Sequence, residues 1–435
     1  MGAFVDRVIA DHPAPRQPIP DRTVAGPGLY PRPVASPYSD LLRDPPFRRF
    51  WAGLLVSATG DELTKVALVW FVYERTGSAE ALGILMLCLT GPIVVGGFVA
   101  GWLLDRFDRR LVMTVDNLIR GLALAAVPAL HLLGWLEVWH VYVAASVYGL
   151  LLMISLAGTP TMILALAPKE RLATANALET LAYSLAGVAG PVLAGLLIAG
   201  IGAPATVMLD VVSYVLFALI LFRLKLSLPA PVKRASAPIG DAVRLLFGNP
   251  VLIATTFMFL VYNIGTGSVP VWLPLHVEQT LGGGPELYGI LLGIISVGQI
   301  GATLAIGQIG GRVRLGLGIA LAQTLAGLAL LLVLLAPDAL LTGVVFLAWG
   351  IAAAPLTPWA QTLRMAIIPE AMRGRAFALL RMLMQSGRPV GGALAGFLLP
   401  AIGIAATVGV VGAMTVAGGI AGLLTKPLRE AGKPN

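Results

Sequence analysis

Residues 101–110 read Gly-Trp-Leu-Leu-Asp-Arg-Phe-Asp-Arg-Arg, and this stretch decides how the rest of the chain is laid out. It lies between two long apolar runs, 80–104 and 111–132, and holds five charged residues in ten. Two spans joined by so short a turn run antiparallel. Arg106, Arg109 and Arg110 tie that turn to the cytoplasmic face of a membrane, because positive charge in short loops resists translocation. Asp105, at the foot of the preceding span, is free to face the positive N-terminus of another helix.

Composition leads outward to the same class. The chain has 435 residues, 57% of them hydrophobic and only 12% charged. Its mean hydropathy is +0.86, and a soluble surface needs far more charge than this. The sequence pI of about 9.8 raises a nucleic-acid reading, but the basic residues recur in short blocks between apolar runs rather than on one face. No nucleic-acid partner is expected. Cys88 stands alone in an apolar run, so there is no disulfide framework. His12, His131, His140 and His276 lack ligand spacing, which predicts neither a metal site nor a metal cofactor.

From Phe50 onward the chain holds twelve apolar segments: 50–73, 80–104, 111–132, 138–166, 173–199, 203–224, 250–275, 286–308, 314–335, 339–366, 375–399 and 403–424, here spans 1 to 12. Each reaches the ~20 residues a helix needs to cross the hydrocarbon core. Prolines at 92, 160, 191, 270, 274, 355, 358 and 389 read as kinks, since neighbouring helices can satisfy the freed carbonyls. With both termini on the side of the 101–110 turn, 25 of the 30 Lys and Arg residues fall on that side. Arg75 stands alone on the other, and Lys65, Arg120, Arg381 and Arg388 lie within spans. That asymmetry predicts cytoplasmic termini.

The expected organisation is a disordered Pro-rich cytoplasmic tail (1–46), a six-helix bundle (47–224), a linker (225–249), a second six-helix bundle (250–424) and a C-tail (425–435). The halves echo each other at an offset near 200 residues. Pro168–Arg171 precedes span 5 as Pro369–Arg373 precedes span 11. Gly190-Pro191 with Ala194-Gly195 is matched by Arg388-Pro389 with Gly391-Gly392, and Tyr148-Gly149 by Trp349-Gly350. Parallel repeats of this kind build two halves that rock around a midplane site.

The 101–110 turn resembles the signature loop of the major facilitator superfamily, Gly-x-x-x-Asp-Arg-x-Gly-Arg-Arg/Lys. Gly101, Asp105, Arg106, Arg109 and Arg110 match, and Asp108 replaces the second Gly. This Asp variant is similar to the third drug:proton antiporter subfamily, which includes macrolide and siderophore exporters. Gly60–Lys65, followed by Thr76-Gly77-Ser78, resembles that subfamily's opening. Gly187, Gly190, Pro191 and Gly195 resemble its span 5 antiporter motif, with Ala186 and Ala194 where Gly is usual. The resemblance implies an all-α membrane protein of twelve helices in two pseudo-symmetric halves. It also implies that Asp105 caps span 11 and holds the halves together on the cytoplasmic side.

Charge inside the spans supplies the remaining candidates. Asp116 and Arg120 are i,i+4 on span 3, so they can neutralise each other and read as a brace for the loop. Asp61 and Glu62 fall midway along span 1 with Lys65, which can compensate one carboxylate but hardly both. The acid left over is a proton-coupling candidate, or the partner of a cation such as Arg388. Arg388 lies near mid-membrane, where an unpaired cation costs about 2.5–3.5 kcal/mol. It needs a partner, with Asp210 and Glu179 the choices, or a wet cavity; Arg381 lies nearer the cytoplasm.

An ATP-driven pump is excluded because no Gly-x-x-x-x-Gly-Lys-Ser/Thr occurs. No nucleophile–base constellation suggests an enzyme, and two six-span halves offer no channel filter. The expectation is a monomeric, multi-pass secondary transporter of a prokaryotic plasma membrane, without cofactor, that exports a small amphipathic compound by proton antiport. Its partners are then that small-molecule substrate, protons and the lipid bilayer. An importer or uniporter on the same fold and a non-transporting scaffold are the alternatives.

Overall fold

The computed structural model describes residues 37–224, 239–309 and 314–432, which form helices throughout. Span 1 is the helix Pro45–Thr76, opened by Asp44, whose carboxylate accepts from the Phe47 amide at 3.2 Å, with proline in its first turn. Proline costs nothing there, because that amide has no intrahelical partner. Gly77 closes the helix at φ 58°, in the left-handed region where only glycine is unstrained. Span 2 follows as Ala79–Thr90 and Pro92–Arg106, with Ser78 accepting from the Ala81 amide. Spans 3 to 6 are Arg109–Leu132, Val138–Leu166, Leu172–Ile201 and Ala203–Arg223.

The second half repeats the plan. Span 7 is Pro250–Gln279, span 8 Pro285–Ile309 and span 9 Leu315–Leu332. Span 10 is divided into Ala339–Ala353 and Leu356–Ile367. Span 11 begins as Arg373–Gln385 and continues in Gly387–Leu424, which also contains span 12. The two spans separate at Gly403, whose φ of 78° and ψ of 173° leave the helical region. Among the described residues ten helices are long and apolar enough to cross a membrane. The count falls short of twelve because Asp61, Glu62 and Lys65 lower span 1, and because spans 11 and 12 run on as one element.

Three prolines expected as kinks instead sit where helices restart. Pro92 opens the second piece of span 2, Pro355 precedes the second piece of span 10, and Pro389 lies in the first turn after the break at Ser386. Pro160, Pro191, Pro270 and Pro274 lie inside unbroken helices. The segment expected as a disordered tail is helical in its last part, Pro37–Arg43, where Leu41 is buried and Asp40 pairs with Arg171 at 3.2 Å. Residues 1–36 of that tail lie outside the described residues. The expected linker contains the helix Ile239–Gly248, whose Leu246 packs with Leu252, Ile368 and Leu380; its first part, 225–238, also lies outside the described residues.

Packing follows the repeat. Span 5 packs on span 8, and span 11 packs on span 2. Gly149 of span 4 sits on the Leu89 carbonyl of span 2, as Gly350 of span 10 sits on the Ile295 carbonyl of span 8. These are corresponding elements of the two halves, as a two-fold axis between them requires. Large apolar side chains such as Phe98, Leu122, Leu164, Phe222 and Phe397 point outward, where lipid rather than water is their solvent.

The halves meet chiefly at one end. That end lies remote from the Arg106–Arg110 turn and from the first and last described helices. There Gly83 and Gly396 touch backbone to backbone, Gly392 receives Met86, and Gly195 lies on Pro285 and Glu286. The Tyr73 hydroxyl donates to Glu278 across the halves, and the Trp70 and Tyr288 rings lie 5.9 Å apart. At the basic end the halves approach far less, mainly between Arg373–Gln385 and Pro92–Arg106. A crevice therefore opens toward the basic end.

Candidate functional site

A buried polar cluster joins spans 1, 3, 4 and 6 at mid-depth of the first half. Its centre is Arg120, with 1% of its side chain exposed. One terminal nitrogen donates to Asp116 at 2.7 Å and to Ser155 at 2.6 Å. The other donates to the Tyr214 hydroxyl at 3.1 Å and to Asp61 at 3.4 Å. The guanidinium also lies 4.6 Å from the Tyr214 ring centre and 5.9 Å from that of Tyr148. Such faces attract a cation electrostatically. Ser155 donates to Asp116 at 2.8 Å, and Tyr214 donates to Asp61.

Asp210 of span 6 completes the cluster. It is fully buried and accepts from Thr64 at 2.5 Å and Ser213 at 2.8 Å, with no cation in direct contact among the described residues. Gly60 on span 1 creates its space, since a Cβ there would overlap the Asp210 carboxylate. Asp61 and Asp116 thus share one guanidinium, and Asp210 lies beside them held only by hydroxyls, in a medium where charge is poorly screened. Asp61 is the member with an outlet, its side chain being 17% exposed.

The structure divides the span 1 acids in a way that spacing left open. Lys65 pairs with Glu62 at 2.5 Å, and both remain about one third exposed. Glu62 packs against Gly190 of span 5, so the small-residue motif there opens room for it. Gly187 faces Ser296, and Pro191 faces Gly289, both on span 8. The motif therefore meets span 1 with one face and the other half of the protein with the rest.

Several expected partnerships are not formed. Asp105 is exposed, with no hydrogen bond or ion pair among the described residues, and span 11 begins at Met372 without a side-chain cap. Asp116 and Arg120 do not brace the signature loop; Arg120 reaches spans 1, 4 and 6 instead. Within the loop, Asp108 caps span 3 by accepting from the Arg110 and Leu111 amides. Arg110 donates to the Leu224 carbonyl at 2.5 Å, and Arg106 lies over Trp102. Among the described residues Gly101 and Arg109 make no such contacts.

Arg388 pairs with neither Asp210, Glu179 nor the span 1 acids. Its Nε donates to the Asn263 side-chain oxygen of span 7 at 3.2 Å. Glu179 is half-buried and Arg381 exposed, and neither has a hydrogen bond or ion pair among the described residues.

Sequence reading missed Thr64, Ser155, Ser213 and Tyr214, and counted Arg364, at the end of span 10, among the 25 basic residues of the cytoplasmic side. Arg364 is instead buried in the helix Leu356–Ile367, donating to the Thr255 carbonyl at 3.3 Å beneath the Phe259 ring. Polar residues at Ser213-Tyr214 beside Asp210 in an apolar run were the available signal.

Twelve spans in two related halves, with a crevice between them and charge at mid-depth, define a membrane transporter of the rocking-halves class. The family model described as Major Facilitator Superfamily matches residues 50–391 and 279–435, and the chain belongs to that family. It is 26% identical over 369 residues to the multidrug efflux pump Tap of Mycolicibacterium fortuitum, covering 81% of this chain and 89% of that one. It is 24% identical over 231 residues to macrolide efflux protein A of Streptococcus pyogenes, covering 53% and 56%. Among solved structures, a POT family transporter in complex with a thioalcohol-conjugated peptide superposes with a TM-score of 0.73 at 11% identity. That match covers 87% of this chain and 96% of the other.

Proposed function

We propose that this transporter exports a small amphipathic compound across a bacterial plasma membrane in exchange for protons. The Asp61–Asp116–Arg120–Asp210 cluster is its proton site. The observation that carries this reading is the charge imbalance: Asp61 and Asp116 share the Arg120 guanidinium, while the buried Asp210 beside them is held only by the Thr64 and Ser213 hydroxyls. Carboxylates crowded in this way do not all ionise together, so the site exchanges protons as its surroundings change. Glu62 is already matched by Lys65, which moves the coupling role to Asp61 and Asp210. The efflux relatives support export rather than import.

The charge asymmetry supports cytoplasmic termini, so the crevice opens to the cytoplasm, where an exporter collects cargo. In the cycle, cargo binding there releases the proton. The halves then rock about spans 2, 5, 8 and 11, and a proton taken up outside resets the site.

The test is efflux of fluorescent amphipathic dyes from proteoliposomes with an imposed pH gradient. Wild type and Glu62→Gln should accelerate when the gradient is applied, while Asp61→Asn and Asp210→Asn should not. Full acceleration in both Asp variants rules this site out.

A further inference from the structure

We infer that Arg388 is an anion receptor in the central crevice, and that the cargo carries a carboxylate or equivalent acidic oxygen that docks on it. This rests on the transporter reading above and adds the chemical class of its cargo.

Depth comes first. Arg388 packs at the level of Asn263 and Gly267 in span 7, the helix Pro250–Gln279, and so sits near its middle. Gly387 and Gly391 lie against the Leu260 and Ile264 carbonyls, and Gly267 lies against the backbone of Arg388 itself. Spans 7 and 11 are therefore in backbone contact at this point. Yet the Arg388 side chain is exposed. An exposed guanidinium at mid-membrane cannot face lipid without a large cost, so it faces the water-filled crevice.

Orientation comes second. Asn263 donates its amide to the Phe259 carbonyl at 2.8 Å, which turns its oxygen toward span 11. That oxygen accepts from Arg388 Nε at 3.2 Å. One donor of five is used, and among the described residues no carboxylate pairs with this arginine. The two terminal nitrogens form a planar fork that matches a carboxylate in bidentate fashion.

The contrast with the first half strengthens the assignment. Arg120 is buried and surrounded by acids, whereas Arg388 is exposed and has only a neutral partner. The first holds protein carboxylates, and the second is open to one from outside. A cargo spanning the crevice would meet Arg388 on one side and the acidic cluster near Asp61 on the other. That arrangement suits a zwitterionic compound with its acidic end toward span 11.

The test uses two dyes that differ only at this group: rhodamine 110, with a free carboxylate, and rhodamine 123, its methyl ester. Binding is read by fluorescence anisotropy on purified protein in lipid nanodiscs, and transport of both in proteoliposomes. Wild type should bind the free acid at least about tenfold more tightly than the ester, the scale of a charge-assisted pair. Arg388→Gln should bring the two within about twofold while leaving ester binding unchanged, and Arg388→Lys should restore part of the preference. Equal affinity of wild type for acid and ester, or binding of neither, overturns the inference. So does a preference that survives Arg388→Gln, or an equal loss for both dyes, which marks a merely structural arginine. If both dyes are transported without discrimination, the cargo assignment fails while the transporter reading stands.

Discussion

Removing the cation at the centre of the cluster gives the sharpest energetic test. Arg120→Gln deletes donors to Asp61, Asp116, Ser155 and Tyr214 and leaves Asp61 and Asp116 with no positive partner. Breaking one side of a buried pair costs about 3–5 kcal/mol, because the remaining charge stays desolvated. At about 2.1 cal/mol/K of unfolding entropy per residue, that is a fall in Tm of about 3–6 °C for a chain of this size. Asp116→Asn should cost less, since Arg120 keeps Asp61. The double variant Asp116→Asn/Arg120→Gln should be clearly more stable than the sum of the two losses, because it removes charge of both signs.

The chain suits the assay: its one cysteine, Cys88, is only half-buried and reports unfolding to a thiol-reactive fluorophore. A Tm for Arg120→Gln within 1 °C of wild type, as an order-of-magnitude threshold, would refute the reasoning. Strict additivity in the double variant would refute it equally, since residues of one network are expected to couple.

Three further outcomes follow from single contacts. Gly60→Ala places a methyl on Asp210 and 2.5 Å from the Ser213 hydroxyl; overpacking costs about 1–3 kcal/mol. Dye efflux should fall while membrane levels hold, and normal efflux would contradict the packing. Asp108→Ala removes the cap of span 3 and should cost ~1 kcal/mol, read as a small Tm loss with dye binding unchanged. Gly396→Val puts side-chain atoms where Gly83 and the Ala79 carbonyl lie. In a Cys88→Ser background, spin labels at Glu80 and Leu281 should move apart as that end is forced open, and unchanged distances would sink the idea.

How far the sequence could be read depended on range. The twelve spans were legible because hydropathy is local, and the Asp116–Arg120 pair was legible because i,i+4 neighbours share a helix face. The partners that turn that pair into a cluster were not, since Asp61 reaches Arg120 and Thr64 reaches Asp210 from distant spans. Whether Lys65 would take Asp61 or Glu62 was open on spacing alone. It was settled in space, where Asp61 turns to Arg120 and Tyr214. Arg364 was misplaced because it lies near the end of its hydrophobic run, where a loop and a buried helix terminus read alike. Asp105 shows a different limit. The cap on span 11 that the resemblance implies needs a partner from the other half, which local sequence does not report.

The central claim, that the acidic cluster binds the transported proton, is tested most directly without any cargo. Proteoliposomes adsorbed on a sensor surface are given a pH jump, and the transient charge displacement from proton binding is recorded. Wild type and Glu62→Gln should give a transient that titrates with pH, and the double variant Asp61→Asn/Asp210→Asn should give none. A transient of wild-type size in the double variant would contradict the account.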